Sequence, residues 1–228
     1  MLQFTDKIVH RNAKDKSAVN CNKIMHIEGK FLINYFLIYA SWKKGIWVKM
    51  KILKNVLKNE LNIRTEMNFP IEGIEFIDIT PLMLQKEVFK EIIEKFVEEL
   101  KGKEIDYIVM PEARGFLLGT AVAVEIGAGC IPVRKKGKLP PTTVEAQFEY
   151  EKEYGKDILE LPKLVGEDYD KKKFYIIDDI YATGNTIEGI CEAIEKLGGQ
   201  VVGEGVIMNI AELNNKKDLF SLIEIKEG

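Results

Sequence analysis

Two adjacent carboxylates, Asp178 and Asp179, follow the apolar run Phe174, Tyr175, Ile176 and Ile177, and a small-residue turn containing two threonines comes after them. The pattern predicts a strand, a loop and the start of a helix. Ala182 opens the turn. Thr183, Gly184, Asn185 and Thr186 bring hydroxyls, a residue free to take positive φ, and N–H groups at the positive end of a helix dipole. That combination suits a phosphate dianion. Two carboxylates cannot face the same anion, but they accept hydrogen bonds well from vicinal hydroxyls. Strand end and turn together describe a sugar phosphate lying across the carboxyl edge of a parallel sheet. Read alone, the stretch is also compatible with an ordinary Asp-rich connection between a strand and a helix.

Elements able to hold such a site recur along the chain. Ile105–Met110 reads as a near-continuous apolar strand, stopped by Pro111 and followed by the tight loop Glu112, Ala113, Arg114, Gly115. Phe116–Ile126 is a small-residue helix able to approach a sheet closely, and Cys130–Val133 is the next strand. A basic loop from Arg134 through Lys135, Lys136, Gly137 and Lys138 to Pro141 follows it, placed to act as a charged lid hinged at Gly137. Thr143–Phe148 and Asp157–Leu161 alternate as the arms of an antiparallel excursion, with a charged turn holding Glu149, Glu151, Glu153 and Tyr154 between them. Thr80 and Pro81 open a helix whose apolar face continues to Leu100. Asn68–Asp78 reads as an irregular loop ending in a brief alternating segment. Ile190, Ala193, Ile194 and Leu197 give the helix after the turn its buried face, Val201–Met208 is a further strand, and Leu219–Ile225 is expected at a sheet edge. Strands alternating with helices predict an α/β fold with a central parallel sheet and ligands at its carboxyl ends. Three loops, after the strands ending near Met110, Val133 and Ile177, should then meet at one rim.

Composition bounds the rest. At 228 residues, 46% hydrophobic and 30% charged, the chain suffices for one domain with a full core. Cys21, Cys130 and Cys191 are odd in number and widely spaced, which points away from a disulfide framework or a zinc site and fits a reducing cytoplasm. The longest apolar run, Phe31–Ala40, is about half of what a membrane-spanning helix needs. Residues 1–49 hold nine Lys or Arg against three acids, +6, and the remainder carries −9 to reach the total of −3. This N-terminal extension reads in three ways: a basic arm for nucleic acid or a membrane surface, a small added subdomain, or translated sequence upstream of a natural start at Met50. The last is favoured, because a helical pattern (Ile52, Leu53, Val56, Leu57, Leu61) begins directly after Met50.

Five motifs in order resemble the adenine phosphoribosyltransferase family, within the type I phosphoribosyltransferases. They are FIDITPL at Phe76–Leu82, PEARGF at Pro111–Phe116, PVRKKGKLP at Pro132–Pro140, EYGKDILE at Glu153–Glu160 and DDIYATGNT at Asp178–Thr186. The resemblance covers nearly all of the chain after Met50 and none before it. It implies a phosphoribosyltransferase domain over 50–228, with a central parallel sheet flanked by helices, a small hood and an antiparallel lid. It also implies transfer of the phosphoribosyl group of phosphoribosyl pyrophosphate (PRPP) to adenine, giving AMP and pyrophosphate in a purine-salvage route, with magnesium held through pyrophosphate and ribose oxygens. A homodimer follows from the same resemblance, and a nucleic-acid partner does not.

Carried over by resemblance, Ala113, Arg114, Gly115, Arg134, Lys135 and Lys138 would hold pyrophosphate, with Arg114 and Lys138 also serving catalysis. Asp178 and Asp179 would take the ribose hydroxyls, and Ala182, Thr183, Gly184, Asn185 and Thr186 the 5′-phosphate. Glu153, beside Tyr154, would exchange a proton with purine N7. Ile71–Ile77 would be the hood over the base, and the Glu112–Ala113 peptide would be cis. The chain departs from the family pattern at Ile77, where Arg is usual, and at Glu75, Tyr181 and Asn185; two residues around Tyr150 and Glu151 are inserted. An enzyme for guanine or xanthine, or a PRPP-sensing regulatory protein on the same fold, are the alternative readings; retention of the basic loop and of Glu153 disfavours the regulator.

Overall fold

The computed structural model describes residues 48–52, 63–69, 72–73, 75–152 and 155–227. A short strand β1 (Val48–Ile52) leads to the hood strands β2 (Arg64–Met67) and β3 (Glu75–Asp78), an antiparallel pair in register from Arg64↔Asp78 to Met67↔Glu75. Helices α1 (Thr80–Leu84) and α2 (Lys86–Leu100) precede β4 (Tyr107–Pro111), α3 (Arg114–Ile126) and β5 (Gly129–Lys135). A hairpin, β6 (Val144–Lys152) and β7 (Gly155–Pro162), comes before β8 (Lys173–Tyr181), α4 (Asn185–Lys196), β9 (Gln200–Ile210) and β10 (Phe220–Glu227).

The main sheet runs β1-β10-β9-β8-β4-β5-β7-β6. Its five central strands, β10 to β5, are parallel, and β1, β7 and β6 add antiparallel margins. Period-two alternation divides the core between two faces. Ile108, Met110, Tyr175 and Ile177 join the buried residues of α2 and α3 on one face; Val109, Phe174 and Ile176 join those of α4 and the hairpin on the other. Helix α2 earns its place by spacing, since Val88, Ile92, Phe96 and Leu100 recur every four residues and are all buried. Each such burial contributes about 1.5–3 kcal/mol.

Several expectations are corrected. The single helix expected from Thr80 is broken at Gln85, whose backbone is extended (φ −95, ψ 102). Leu219–Ile225 is not an edge, because β1 pairs outside it from Val48↔Glu227 to Ile52↔Ile223. That strand also straddles the expected boundary at Met50 and takes in Ile52, the first position of the expected N-terminal helix; the other positions of that helix, Leu53, Val56, Leu57 and Leu61, lie outside the described residues. Arg134 and Lys135 are not in a loop but at the end of β5, opposite Glu160 and Leu159 of β7. The hairpin is longer than expected and pairs as far as Lys152↔Gly155; Glu153 and Tyr154 also fall outside the described residues.

Candidate active site

Strand order reverses between β4 and β8. From β4 the chain passes outward to β5, and from β8 it passes the other way to β9 and β10. Ligands of open α/β sheets bind at such a switch point. Here β8 outruns its neighbour: it pairs with β4 only as far as Val109↔Ile176, but with β9 as far as Tyr181↔Asn209. Asp178 and Asp179 therefore sit inside the strand rather than at its end, with ladder support on the β9 side and none from β4. Alternation sends their side chains to opposite faces of the strand.

Arg114, the first residue of α3, meets this notch. Its Nε lies 2.5 Å from Asp179 Oδ2, and its guanidinium carbon is 5.2 Å from the centre of the Phe76 ring. Phe76 belongs to β3, so one side chain ties the hood to the carboxylates. Gly115 explains how the helix gets so close, since a Cβ there would lie 3.0 Å from Asp178 Oδ1 and 3.1 Å from the carbonyl oxygen of Ile177. The Glu112–Ala113 peptide that precedes it is cis, as expected. Glu112 accepts from Arg134 Nε (2.9 Å) and from the Lys135 amide (3.0 Å), joining the end of β5 to the same loop.

The electrostatics follow from burial. Asp178 is pushed well above the ordinary carboxylate range, by loss of solvent first and by the Asp179 charge second. Asp179, 4% exposed, is raised by burial too, with Arg114 acting against the shift. Burial also disfavours the Glu112 charge, but the Lys135 amide and the Arg134 guanidinium outweigh it and hold this carboxyl below its usual range.

On the other side of β8 the turn Ala182–Gly184 leads into α4. Gly184 is the residue before the helix and takes φ 88. A Cβ on it would also fall 2.2 Å from the Tyr181 hydroxyl, so the glycine is required twice over. Asn185 is already helical and bears no left-handed strain, which removes the conformational question raised by its replacing a glycine. Tyr181 fills the space beneath the turn and donates to Glu188 Oε1 at 3.1 Å.

The structure thus brings together Ala113, Arg114, Gly115, Asp178 and Asp179, with Arg134 linked through Glu112. Lys135 and Lys138 flank a turn after β5 whose Lys138 amide bonds back to the Lys135 carbonyl (3.0 Å). Instead of a freely hinged lid this turn has an anchor: buried Glu160 accepts from the amides of Gly137 (3.1 Å) and Leu139 (3.4 Å) and from Gln147 Nε2 (2.8 Å). The Ile77 side chain packs with the core formed by α2 and α3, and the ring of its neighbour Phe76 reaches Arg114 at the notch. Sequence reading passed over the positioning roles of Phe76, Glu112 and Glu160. The signal available for Phe76 was the period-two alternation of its own strand.

Architecture and site define a phosphoribosyltransferase of type I. The Phosphoribosyl transferase domain family matches residues 78–225, and the chain belongs to it. It is 50% identical over 160 residues, 69% of this chain and 90% of the relative, to the adenine phosphoribosyltransferase of Clostridium acetobutylicum. The adenine phosphoribosyltransferase structure from Thermoanaerobacter pseudethanolicus is similar at 39% identity and a TM-score of 0.65, covering 71% of this chain and 95% of that one. That of Saccharomyces cerevisiae, complexed with adenine and an imino-altritol bisphosphate, is similar at 34% identity and a TM-score of 0.62, covering 70% and 93%.

Proposed function

We infer that the chain transfers the phosphoribosyl group of PRPP to adenine, forming AMP and releasing pyrophosphate. The observation that carries the reading is the Arg114 guanidinium, held at once by Asp179 and beneath the Phe76 ring. It lies between the carboxylates suited to a ribose and the hood suited to a base.

In this reading the purine N9 attacks C1′ of the ribose while the bond from C1′ to the pyrophosphate oxygen breaks. The transition state is oxocarbenium-like, so the leaving group takes the bonding electrons and most needs positive charge nearby. Arg114, with the Ala113 and Gly115 backbone, and the Arg134, Lys135 and Lys138 cluster supply that charge. Asp178 and Asp179 fix the ribose hydroxyls, and residues 182–186 hold the 5′-phosphate. Glu153, with Tyr154 beside it in sequence, exchanges a proton with N7 of the base. Base reading falls to the Phe76 face and the backbone of the hood.

Among the described residues no group of three His, Cys, Asp or Glu side chains is arranged to cage a metal ion. The site's own carboxylates fit a magnesium ion that arrives with PRPP, since that ion keeps several waters and uses few protein ligands. Bound through pyrophosphate and ribose oxygens, it would neutralise charge on the leaving group. Among the described residues no helix is long and apolar enough to cross a membrane. A cytoplasmic location is supported by the odd, widely spaced cysteines, which fit a reducing compartment. Residues 50–228 form the catalytic domain in this reading, preceded by the N-terminal extension. Two copies pair as a homodimer, a reading supported by exposed Leu117 and Val124, two turns apart on α3.

The test is formation of nucleoside monophosphate from PRPP with adenine, guanine, hypoxanthine and xanthine. Adenine should be preferred by at least ~10²-fold in kcat/KM, because a site that pairs with one pattern of donors and acceptors rejects the others. An equal rate with guanine overturns the base assignment.

A further inference from the structure

We propose that Asn214, in the loop after β9, is a positioning residue that aims the 5′-phosphate turn; the inference rests on the reading of residues 182–186 as the phosphate cradle. Asn214 Nδ2 lies 2.8 Å from the carbonyl oxygen of Ala182, 3.0 Å from Asn209 Oδ1 and 3.0 Å from the carbonyl oxygen of Ile210. Its Oδ1 accepts from the Lys216 amide at 3.1 Å. Backbone carbonyls only accept and a backbone amide only donates, so these partners allow the side-chain amide one orientation. Asn209 is itself buried, at 4% exposure, on the strand that pairs with Tyr181. Asn214 therefore bridges the carboxyl ends of two neighbouring strands at the point where the phosphate turn departs.

The consequence comes from peptide planarity. In a trans peptide the C=O and the following N–H point in opposite directions within one rigid plane. Pinning the Ala182 carbonyl toward Asn214 turns the Thr183 N–H the opposite way, out of the sheet end and toward the concavity in front of α4. One side-chain hydrogen bond thus presets an amide that an incoming phosphate needs. Gly184, at φ 88, makes this preset valuable, because glycine leaves the turn with more conformational freedom than any other residue. A second tie steadies the strap itself: Lys216 Nζ lies 3.0 Å from Glu204 Oε1, on β9.

Two substitutions separate aiming from loop folding. Asn214→Asp keeps an oxygen acceptor for the Lys216 amide but removes the donor to Ala182; Asn214→Leu removes both. Calorimetric titration of the full chain with AMP and, separately, with pyrophosphate reads the two halves of the site. Both variants should weaken AMP by ~10-fold, as expected for a lost, partly buried hydrogen bond, with pyrophosphate binding and melting temperature little changed. In turnover, KM for PRPP should rise by the same factor while kcat and KM for adenine hold. A weakened Leu variant beside an unchanged Asp variant would show that only the loop turn matters and would overturn the inference. Equal loss for AMP and pyrophosphate with a lowered melting temperature would overturn it too. A parent protein that binds AMP but does not consume adenine would sink the base assignment instead, and the AMP titrations would still decide the role of Asn214.

Discussion

The two regions proposed to hold anions are built on opposite principles. The phosphate turn is a backbone device: a left-handed glycine, a helix start and a carbonyl pinned by Asn214. The proposed pyrophosphate side is a set of charged side chains already paired with the protein's own carboxylates, Arg114 with Asp179 and Arg134 with Glu112. The difference matches the fate of the two ligands in the proposed reaction. The 5′-phosphate stays bound from PRPP to AMP and gains from a rigid, preset cradle. Pyrophosphate must arrive, accept charge and leave, which favours cations able to exchange one anionic partner for another without being stranded unpaired.

Arg114→Ala breaks the comparison most severely. It removes the cation shared by hood, carboxylates and leaving group, and kcat/KM for PRPP should fall by ~10³ or more, as expected when two charge-assisted hydrogen bonds are lost. Steady-state kinetics with saturating adenine measures it. Gly184→Ala strikes the other side: left-handed strain and the clash with Tyr181 should raise KM for PRPP by ~10²-fold and abolish detectable AMP binding. Pyrophosphate binding should survive, and its loss would show that the two regions are not independent.

Glu160→Gln is gentler. It weakens the anchor of the basic turn, so inhibition by pyrophosphate should weaken ~10-fold while AMP binding holds. The smallest effect sharpens the comparison through stability. A carboxyl whose folded pKa lies above its unfolded value holds its proton more tightly when folded, so stability is lost as pH climbs through the raised value. Asp178 is such a group. Although inactive, Asp178→Asn should melt a few degrees higher than the parent at neutral pH. The gain should shrink as pH falls through the raised pKa and vanish below the ordinary value of 3.8; thermal melts from pH 4 to 8 follow it.

What the sequence revealed was local. The run from Phe174 to Thr186 carries its own signals, apolar alternation broken by two acids and then a glycine, and the helix lies where those signals put it. Arg114 and Arg134 were legible as charges after buried strands. Their pairings were not, because Arg134 meets Glu112 across 22 residues and Arg114 meets Asp179 across 65 (179 − 114), separations that no period encodes. Asn214 reaches Ala182 across 32 residues and looks, in sequence, like any polar loop residue. The break at Gln85 escaped notice because the apolar spacing continues through it, while Gln85 Nε2 turns back to the Pro81 carbonyl (3.0 Å).

Strand β1 has a consequence for any shortened form of this chain. A polypeptide begun at Met50 keeps the pairings of Met50, Lys51 and Ile52 with β10 but forfeits Val48↔Glu227 and Lys49↔Lys226. The freed end of β10 then presents its own unpaired amides and carbonyls beside the shortened terminal strand. Unpaired strand ends of this kind recruit strands from other molecules, so a chain begun at Met50 should aggregate more readily than one begun before Val48, which light scattering of the two would show.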